Sequence, residues 1–84
     1  MFESFSVKRF GDKLRTLRHT RKLSLKGLAS ELGYTSHGYI SELETGKKQP
    51  TIEFVLKVSR YFNISTDQLL KDELDINPGD KDLS

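Results

Sequence analysis

Hydrophobic positions recur every three or four residues along most of this chain, a spacing that places them on one face of an α-helix. In the first such segment, residues 8–21, the apolar face contains Phe10, Leu14 and Leu17, and basic residues cover the rest. The pattern predicts an amphipathic first helix that ends near Lys22. Many helices have a glycine at that position, because a glycine readily adopts the left-handed conformation.

Two shorter helical segments follow, each with a capping residue before it and a glycine after it. Ser24 is predicted to cap the second helix, and Gly33 to end it in the left-handed region. Thr35 or Ser36 is predicted to cap the third helix, which Gly46 closes. The two helices have apolar residues to bury against each other, namely Leu25, Leu28, Ala29, Leu32, Ile40 and Leu43. Two short helices joined by a tight turn form a helix-turn-helix.

Two further helices are predicted after Pro50. Thr51 is a suitable cap for a fourth helix, roughly residues 52–62, and Asn63 can end it in the left-handed conformation. The segment Ser65 to Gln68 is a capping box that opens a short fifth helix. No segment shows the alternation of a convincing strand, so the predicted fold is all-α, a compact five-helix domain whose second and third helices form the helix-turn-helix.

The chain has 84 residues, enough for one small domain that buries a modest part of its surface. We expect residues 1–7 to form a lead-in, residues 8–71 the helix-turn-helix domain, and residues 72–84 an acidic, mobile C-terminal tail. Charge supports this division, since residues 1–30 contain eight basic and two acidic side chains, whereas residues 61–84 contain two basic and six acidic ones. A basic domain suits a polyanionic partner, although solvated helix faces would give the same count.

Composition argues against several other classes of protein. The chain has no cysteine and only two histidines, His19 and His37, so neither a thiolate metal site nor a catalytic triad can be assembled. We therefore expect no enzyme and no cofactor. No apolar run is long enough to span a membrane, and the N-terminus lacks the apolar core of a signal peptide. These features predict a cytoplasmic protein with no membrane partner.

The order of residues from Ser24 onward resembles that of the phage-repressor-like (Xre-type) helix-turn-helix DNA-binding family. The matching positions, spread over residues 8–71, are Ser24, Leu28-Ala29, Gly33, Ile40-Ser41, Glu44, Gly46, Pro50-Thr51, Ile64-Ser65 and Gln68-Leu69-Leu70. The resemblance implies a sequence-specific regulator of transcription, a repressor or an autoregulating controller, whose third helix reads the major groove of double-stranded DNA. It also implies a largely buried ion pair between Arg18 and Glu44.

On this interpretation, residues of the third helix and its surroundings divide into two sets. The candidates for base contact are Ser36, His37, Gly38, Tyr39 and Glu42. The candidates for phosphate contact are Lys26, Lys47, Lys48 and Thr51. Alternatives remain open, because Tyr39 could pack on the second helix, Glu42 could balance Lys47, and the lysines could be merely solvated. On the first helix, Arg9, Lys13 and Arg15 are expected to be solvated.

A homodimer on a two-fold operator is expected for two reasons. Family members commonly bind two half-sites as dimers, and the apolar arc of the fourth helix is wider than one core contact requires. The surplus residues Phe54, Leu56 and Tyr61 are the predicted dimer interface, unless the fifth helix covers them. The rival function is an antitoxin-like or adaptor protein that acts through protein–protein contact, with the acidic tail as its docking segment.

Overall fold

A computed structural model describes residues 7–76 of the protein. These residues form five α-helices and no strand, in the order α1 (Phe10–Thr20), α2 (Leu25–Glu31), α3 (Gly38–Glu44), α4 (Ile52–Phe62) and α5 (Thr66–Leu70). The predicted all-α, five-helix fold is confirmed. The predicted lead-in except residue 7, and residues 77–84 of the predicted tail, lie outside the described part of the chain.

Side chains from all five helices meet in one hydrophobic core. Its buried members are Phe10, Leu14, Leu17, Leu28, Ala29, Leu32, Ile40, Leu43, Phe54, Val55, Val58, Phe62 and Leu69. The rings of Phe10 and Phe54 meet edge to face with their centroids 6.2 Å apart, which joins α1 to α4. Burying one large side chain of this kind stabilises a fold by roughly 1.5–3 kcal/mol, so the core holds the helix-turn-helix in place.

Local sequence signals set the starts of three helices. The Ser24 hydroxyl accepts a hydrogen bond from the Gly27 amide at 2.9 Å, and the Thr51 hydroxyl accepts one at 3.1 Å from the amide three residues later. Ser65 and Gln68 form the complete capping box that the sequence predicts for α5. Each cap satisfies an amide that would otherwise lack a partner and contributes about 1 kcal/mol.

The junctions around α2 and α3 differ from the prediction in one respect. Lys22 and Gly33 adopt left-handed conformations, with φ angles of +57° and +88°, so Lys22 takes up the geometry that glycine adopts more easily. Helix α3 begins at Gly38 with His37 as its N-cap residue, one or two residues later than the predicted cap at Thr35 or Ser36. The reason is that the Ser36 hydroxyl accepts a hydrogen bond from the Gly38 amide at 3.1 Å, which holds the residue between them in the turn.

Residues 72–76, the start of the predicted tail, contact the two residues immediately before α1. The Asp72 carboxylate accepts hydrogen bonds from the backbone amides of Arg9 at 3.0 Å and Lys8 at 3.1 Å. These two bonds hold the pKa of Asp72 below its usual value, because they favour the charged carboxylate. The Arg9 guanidinium lies 2.8 Å from the Asp75 carboxylate. We call this set of contacts the C-terminal clasp.

Lys13 is buried, contrary to the expectation that it is solvated. Its ammonium group donates hydrogen bonds to the carbonyl oxygens of Gln68 at 2.6 Å and Lys71 at 2.8 Å, at the end of α5. Burial lowers the pKa of Lys13. The sequence did contain a signal for this position, since Lys13 lies three residues after Phe10 and immediately before Leu14, on the apolar side of α1. Lys13 therefore fastens α5 to α1.

Candidate nucleic-acid interface

The start of α3 and the turn before it form an exposed surface. Ser36, His37 and Gly38, three of the predicted base-contact residues, are all exposed there. His37 is the N-cap residue of α3 and makes no side-chain capping bond, so its imidazole is available to a ligand. An imidazole and a hydroxyl can each hydrogen-bond to the edges of base pairs.

Tyr39 lies apart from those three residues. Its ring packs edge to face on Phe54 of α4, with the centroids 5.3 Å apart, and also contacts Tyr34 at 6.0 Å. Its hydroxyl accepts a hydrogen bond from the Thr51 amide at 3.2 Å. The expected base contact by Tyr39 is therefore not supported, because its side chain is directed toward α4. The sequence left open that Tyr39 packs on the second helix. The observed packing is similar, because Tyr34, which Tyr39 contacts, follows α2 directly.

Glu42 pairs with Lys48, so a predicted base contact and a predicted phosphate contact lie against each other. The carboxylate and ammonium groups are 3.3 Å apart, and both side chains are about half exposed. The expected alternative partner of Glu42 was Lys47, whose backbone amide instead donates to the Glu42 carbonyl at 2.9 Å. An exposed ion pair stabilises a fold by at most about 1 kcal/mol, so Lys48 can exchange the Glu42 carboxylate for another anion at little cost in free energy.

The other predicted phosphate contacts are also at the surface. Lys26 on α2 and Lys47 in the loop after α3 are exposed, and within residues 7–76 neither ammonium group has an acidic partner within 4 Å. Thr51 is exposed as well, but its hydroxyl caps α4 and its amide is bonded to Tyr39. The lysines therefore have more free hydrogen-bonding capacity than Thr51.

The ion pair implied by the family resemblance is present in the structure. Arg18 donates to the two oxygens of the Glu44 carboxylate at 2.8 and 3.0 Å, and the Glu44 side chain is only 3% exposed. The hydrogen bonds to Glu44 raise the pKa of Arg18 above its usual value. Arg18 also donates to the Leu23 carbonyl at 2.9 Å, so one side chain joins α1, the loop before α2 and the end of α3.

Arg15 adds a second cation to this ion pair, a contact that was not predicted from the sequence. Its Nε atom lies 3.4 Å from the Glu44 carboxylate, and its side chain is 44% exposed. A signal was available, because Arg15 and Arg18 are three residues apart and so lie on the same side of α1. The cluster of two guanidinium groups and one carboxylate has one positive charge in excess.

Two of the three residues predicted for the dimer interface are engaged inside the domain. The Phe54 side chain is completely buried, so the prediction for Phe54 is wrong. The Tyr61 hydroxyl donates to Glu31 at 3.1 Å, and the Arg21 guanidinium lies over its ring at 5.2 Å. Phe54 is thus covered by aromatic rings of α1, α3 and the turn after α2, and Tyr61 contacts residues of α2 and of the end of α1.

Leu56 remains exposed and belongs to a different surface. It is 41% exposed, and Ile52, one turn earlier on α4, is 81% exposed. With α5 these residues line a shallow apolar groove of about 290 Å³, formed by Pro50, Ile52, Val55, Leu56, Thr66 and Leu70. We call this groove the apolar patch. Ile52 was not among the predicted interface residues, which were Phe54, Leu56 and Tyr61.

Other kinds of site are not formed in the described part of the chain. Within residues 7–76, no three His, Asp or Glu side chains converge as ligands for a metal ion. None of the helices in this range has both the length and the apolar composition that crossing a membrane requires. The candidate site is the exposed surface at the start of α3.

The fold and this surface define a helix-turn-helix domain, and comparison of sequences gives the same class. Residues 9–71 match a family model described as "Helix-turn-helix domain". The chain belongs to the helix-turn-helix family, and the predicted family is confirmed.

Three curated relatives are similar to this chain. The HTH-type transcriptional activator BcrR of Enterococcus faecalis is 38% identical over 64 residues, which are 76% of this chain and 31% of that protein. A prophage-derived HTH-type transcriptional regulator of Bacillus subtilis, YonR, is 37% identical over 62 residues, 74% of this chain and 56% of its own length. A second B. subtilis regulator, YqaE, is 31% identical over 64 residues, 76% of this chain and 54% of its own. The chain thus spans from about a third to just over half the length of these relatives.

Proposed function

We propose that this protein is a DNA-binding regulator of transcription that inserts α3 into the major groove of double-stranded DNA. The observation that carries the proposal is the exposed start of α3, residues 36–38, on the same domain as the exposed cations Lys26, Lys47 and Lys48. Membership of the helix-turn-helix family supports it, as do the names of the relatives. A helix-turn-helix places the start of its second helix against base edges while neighbouring loops bind the backbone.

Some of the exposed residues would contact bases and others would contact phosphates. Ser36 and His37 would hydrogen-bond to base edges, and Gly38 would allow the backbone of α3 to come close to the groove. Glu42 would reach a cytosine amino group after Lys48 has moved to a phosphate. Lys26, Lys47 and Lys48 would neutralise phosphates and release bound counterions, which drives association at low salt, and the Thr51 hydroxyl would donate a hydrogen bond to a phosphate beside them.

We also propose that the protein binds a two-fold operator as a homodimer, through the apolar patch. One short recognition helix contacts few base pairs, so a dimer would double the sequence that is read. The patch is flanked by two ion pairs, Glu53 with Lys57 at 3.5 Å and Asp67 with Lys71 at 3.7 Å. Each pair is neutral overall, so two copies can approach without a net repulsion between like charges.

Two finer assignments rest on the sequence. The role of repressor or autoregulating controller is implied by the family resemblance, whereas the proposed location in the cytoplasm rests on the composition of the sequence. The alternative function is that of an antitoxin-like or adaptor protein that acts mainly through protein–protein contact, with the acidic tail as a docking segment. The first residues of that segment are engaged by Lys8 and Arg9 in the C-terminal clasp, which reduces the surface left for a partner.

The proposal is tested by retention of the protein on heparin and on random-sequence duplex DNA at low salt. We expect retention on both, and weaker retention of a variant that combines Lys47→Ala with Lys48→Ala. Failure to bind either matrix would favour the protein-binding alternative. If binding is found, selection of bound sequences from a random duplex pool gives the operator and the spacing of its half-sites, and an absence of any enriched sequence would contradict sequence-specific regulation.

A further inference from the structure

The Tyr39 side chain connects α3 directly to the start of α4. Its hydroxyl accepts the hydrogen bond of the Thr51 amide at 3.2 Å, and its ring lies edge to face on Phe54 at 88° between the ring planes. Thr51 is the N-cap residue of α4. Tyr39 therefore contacts the first turn of α4 at two points, the backbone amide of Thr51 and the ring of Phe54.

The segment between these two helices, residues 45–50, contains Lys47 and Lys48, and we call it the basic loop. At the α3 end, the carbonyl oxygen of Glu42 accepts hydrogen bonds from the amides of Lys47 at 2.9 Å and Lys48 at 3.3 Å. At the α4 end, the hydrogen bond from Thr51 to Tyr39 holds the residue that follows the loop. The basic loop is thus restrained at both ends by residues of α3.

We propose that Tyr39 is a positioning residue, which holds the basic loop in the conformation that binds phosphate; this inference rests on the proposed function. A loop that is ordered before binding loses less conformational entropy when it meets its ligand, so its affinity is higher. The role differs from the base contact that the sequence suggested. It differs also from a direct phosphate contact, because the hydroxyl acts through the Thr51 amide.

The test compares Tyr39→Phe with Tyr34→Phe. Both variants lose one phenol hydroxyl from the same aromatic cluster, but the Tyr34 hydroxyl makes no hydrogen bond within residues 7–76. We expect Tyr39→Phe to bind random-sequence duplex DNA about fivefold more weakly, the effect of losing one neutral hydrogen bond. Tyr34→Phe should bind like the wild type. Because the same cations still meet phosphate, the dependence of log K on log salt should keep its slope in both variants.

A second measurement needs no DNA. In the free protein, exchange of the Thr51 amide proton with solvent, followed by NMR, should be faster in Tyr39→Phe than in the wild type and unchanged in Tyr34→Phe. Thermal unfolding of each variant checks that the domain is intact under the conditions of exchange. Faster exchange together with weaker binding supports the positioning role.

Other results would overturn it. A salt slope reduced by about one unit in Tyr39→Phe would mean that the hydroxyl binds a phosphate directly. A loss confined to one base position would restore the base contact. Wild-type affinity in Tyr39→Phe, or an unchanged exchange rate of Thr51, would end the positioning proposal and leave the proposed function intact. A wild-type protein that binds no duplex would end both.

Discussion

Gly11 of α1 lies directly against the carbonyl oxygen of Leu43 near the end of α3. A Cβ atom on Gly11 would come within 2.8 Å of the neighbouring Glu44 carbonyl and closer still to that of Leu43. Both obstacles are backbone atoms, which cannot rotate away as a side chain can. The absence of a side chain at Gly11 therefore sets how closely α1 approaches α3.

We expect Gly11→Ala to lower the free energy of unfolding by about 1–3 kcal/mol, the usual cost of forcing an extra carbon into a packed contact. Urea or thermal unfolding measures this. Gly38→Ala is the matched control, because the nearest obstacle to a Cβ atom there is the Ser36 hydroxyl at 3.5 Å. Its stability should be equal to that of the wild type or slightly higher. Equal stability of Gly11→Ala and the wild type would contradict the close contact.

Removing the buried carboxylate of Glu44 should lower the free energy of unfolding more than Gly11→Ala does. Glu44→Ala leaves the Arg18 guanidinium, whose side chain is only 11% exposed, without its anion, and breaking such a pair typically costs about 3–5 kcal/mol. Glu53→Ala breaks an exposed pair and should change stability by less than about 1 kcal/mol. Should Glu44→Ala fail to fold, Arg15→Ala tests the same cluster with a smaller loss. An unchanged unfolding midpoint in Glu44→Ala would show that the pair is not structural.

The C-terminal clasp should make stability depend on pH in acid. The pKa of Asp72 is lower in the folded protein than in the unfolded chain, so its carboxylate stabilises the fold above the unfolded value, about 3.9. This contribution is lost as the pH falls through the folded pKa. We expect Asp72→Asn to be less stable than the wild type at neutral pH, and the difference to shrink below about pH 4 in unfolding experiments. A difference that stays constant with pH would contradict the two amide hydrogen bonds.

Lys47 should bind the DNA backbone without reading sequence. We expect Lys47→Ala to weaken binding to the same degree for every duplex and to reduce the slope of log K against log salt by about one unit. Arg60→Ala, which removes another exposed cation near the end of α4, is the control and should keep the wild-type slope. A loss of affinity confined to one base position would contradict the phosphate role of Lys47.

The apolar patch should hold two copies together. Ile52→Glu places a charge on its most exposed residue, and we expect the variant to sediment as a monomer with an unchanged unfolding midpoint at low concentration. Leu74→Glu alters a residue of similar type, 37% exposed, in the C-terminal clasp, and should leave self-association unchanged. A wild-type monomer at micromolar concentration, with DNA present, would contradict the dimer itself.

The features that could be predicted from sequence depend on neighbouring residues. Ser24 and the Ser65–Gln68 capping box satisfy amides three residues away, and Asn63 ends α4 with its own backbone angle of +56°. The Arg18–Glu44 pair is a different case, because it was implied by a resemblance rather than by the pattern of residues. The order of the helices and most of their ends therefore follow from local signals along the chain.

The features that were missed depend on distant parts of the chain. Tyr39 looked like a surface residue of α3 because nothing near it in sequence indicated that its hydroxyl meets the Thr51 amide. The partners of Lys13 are residues 55 and 58 positions away, so no neighbouring residue indicated them. The charge of Lys13 therefore favoured an exposed side chain, although its position on the apolar side of α1 favoured burial. Phe54 was assigned to a partner molecule because the aromatic residues that cover it come from three other segments.

The C-terminal clasp also has a consequence for synthesis of the protein. Its hydrogen bonds join Asp72 to amides 63 and 64 residues earlier, so they cannot form until nearly the whole domain has left the ribosome. Contacts over such a separation form late, because closing a long loop costs entropy before the contact repays it. The helix-turn-helix, by contrast, is built from neighbouring residues. During translation, α2 and α3 can therefore pair before residues 72–76 reach the amides of Lys8 and Arg9.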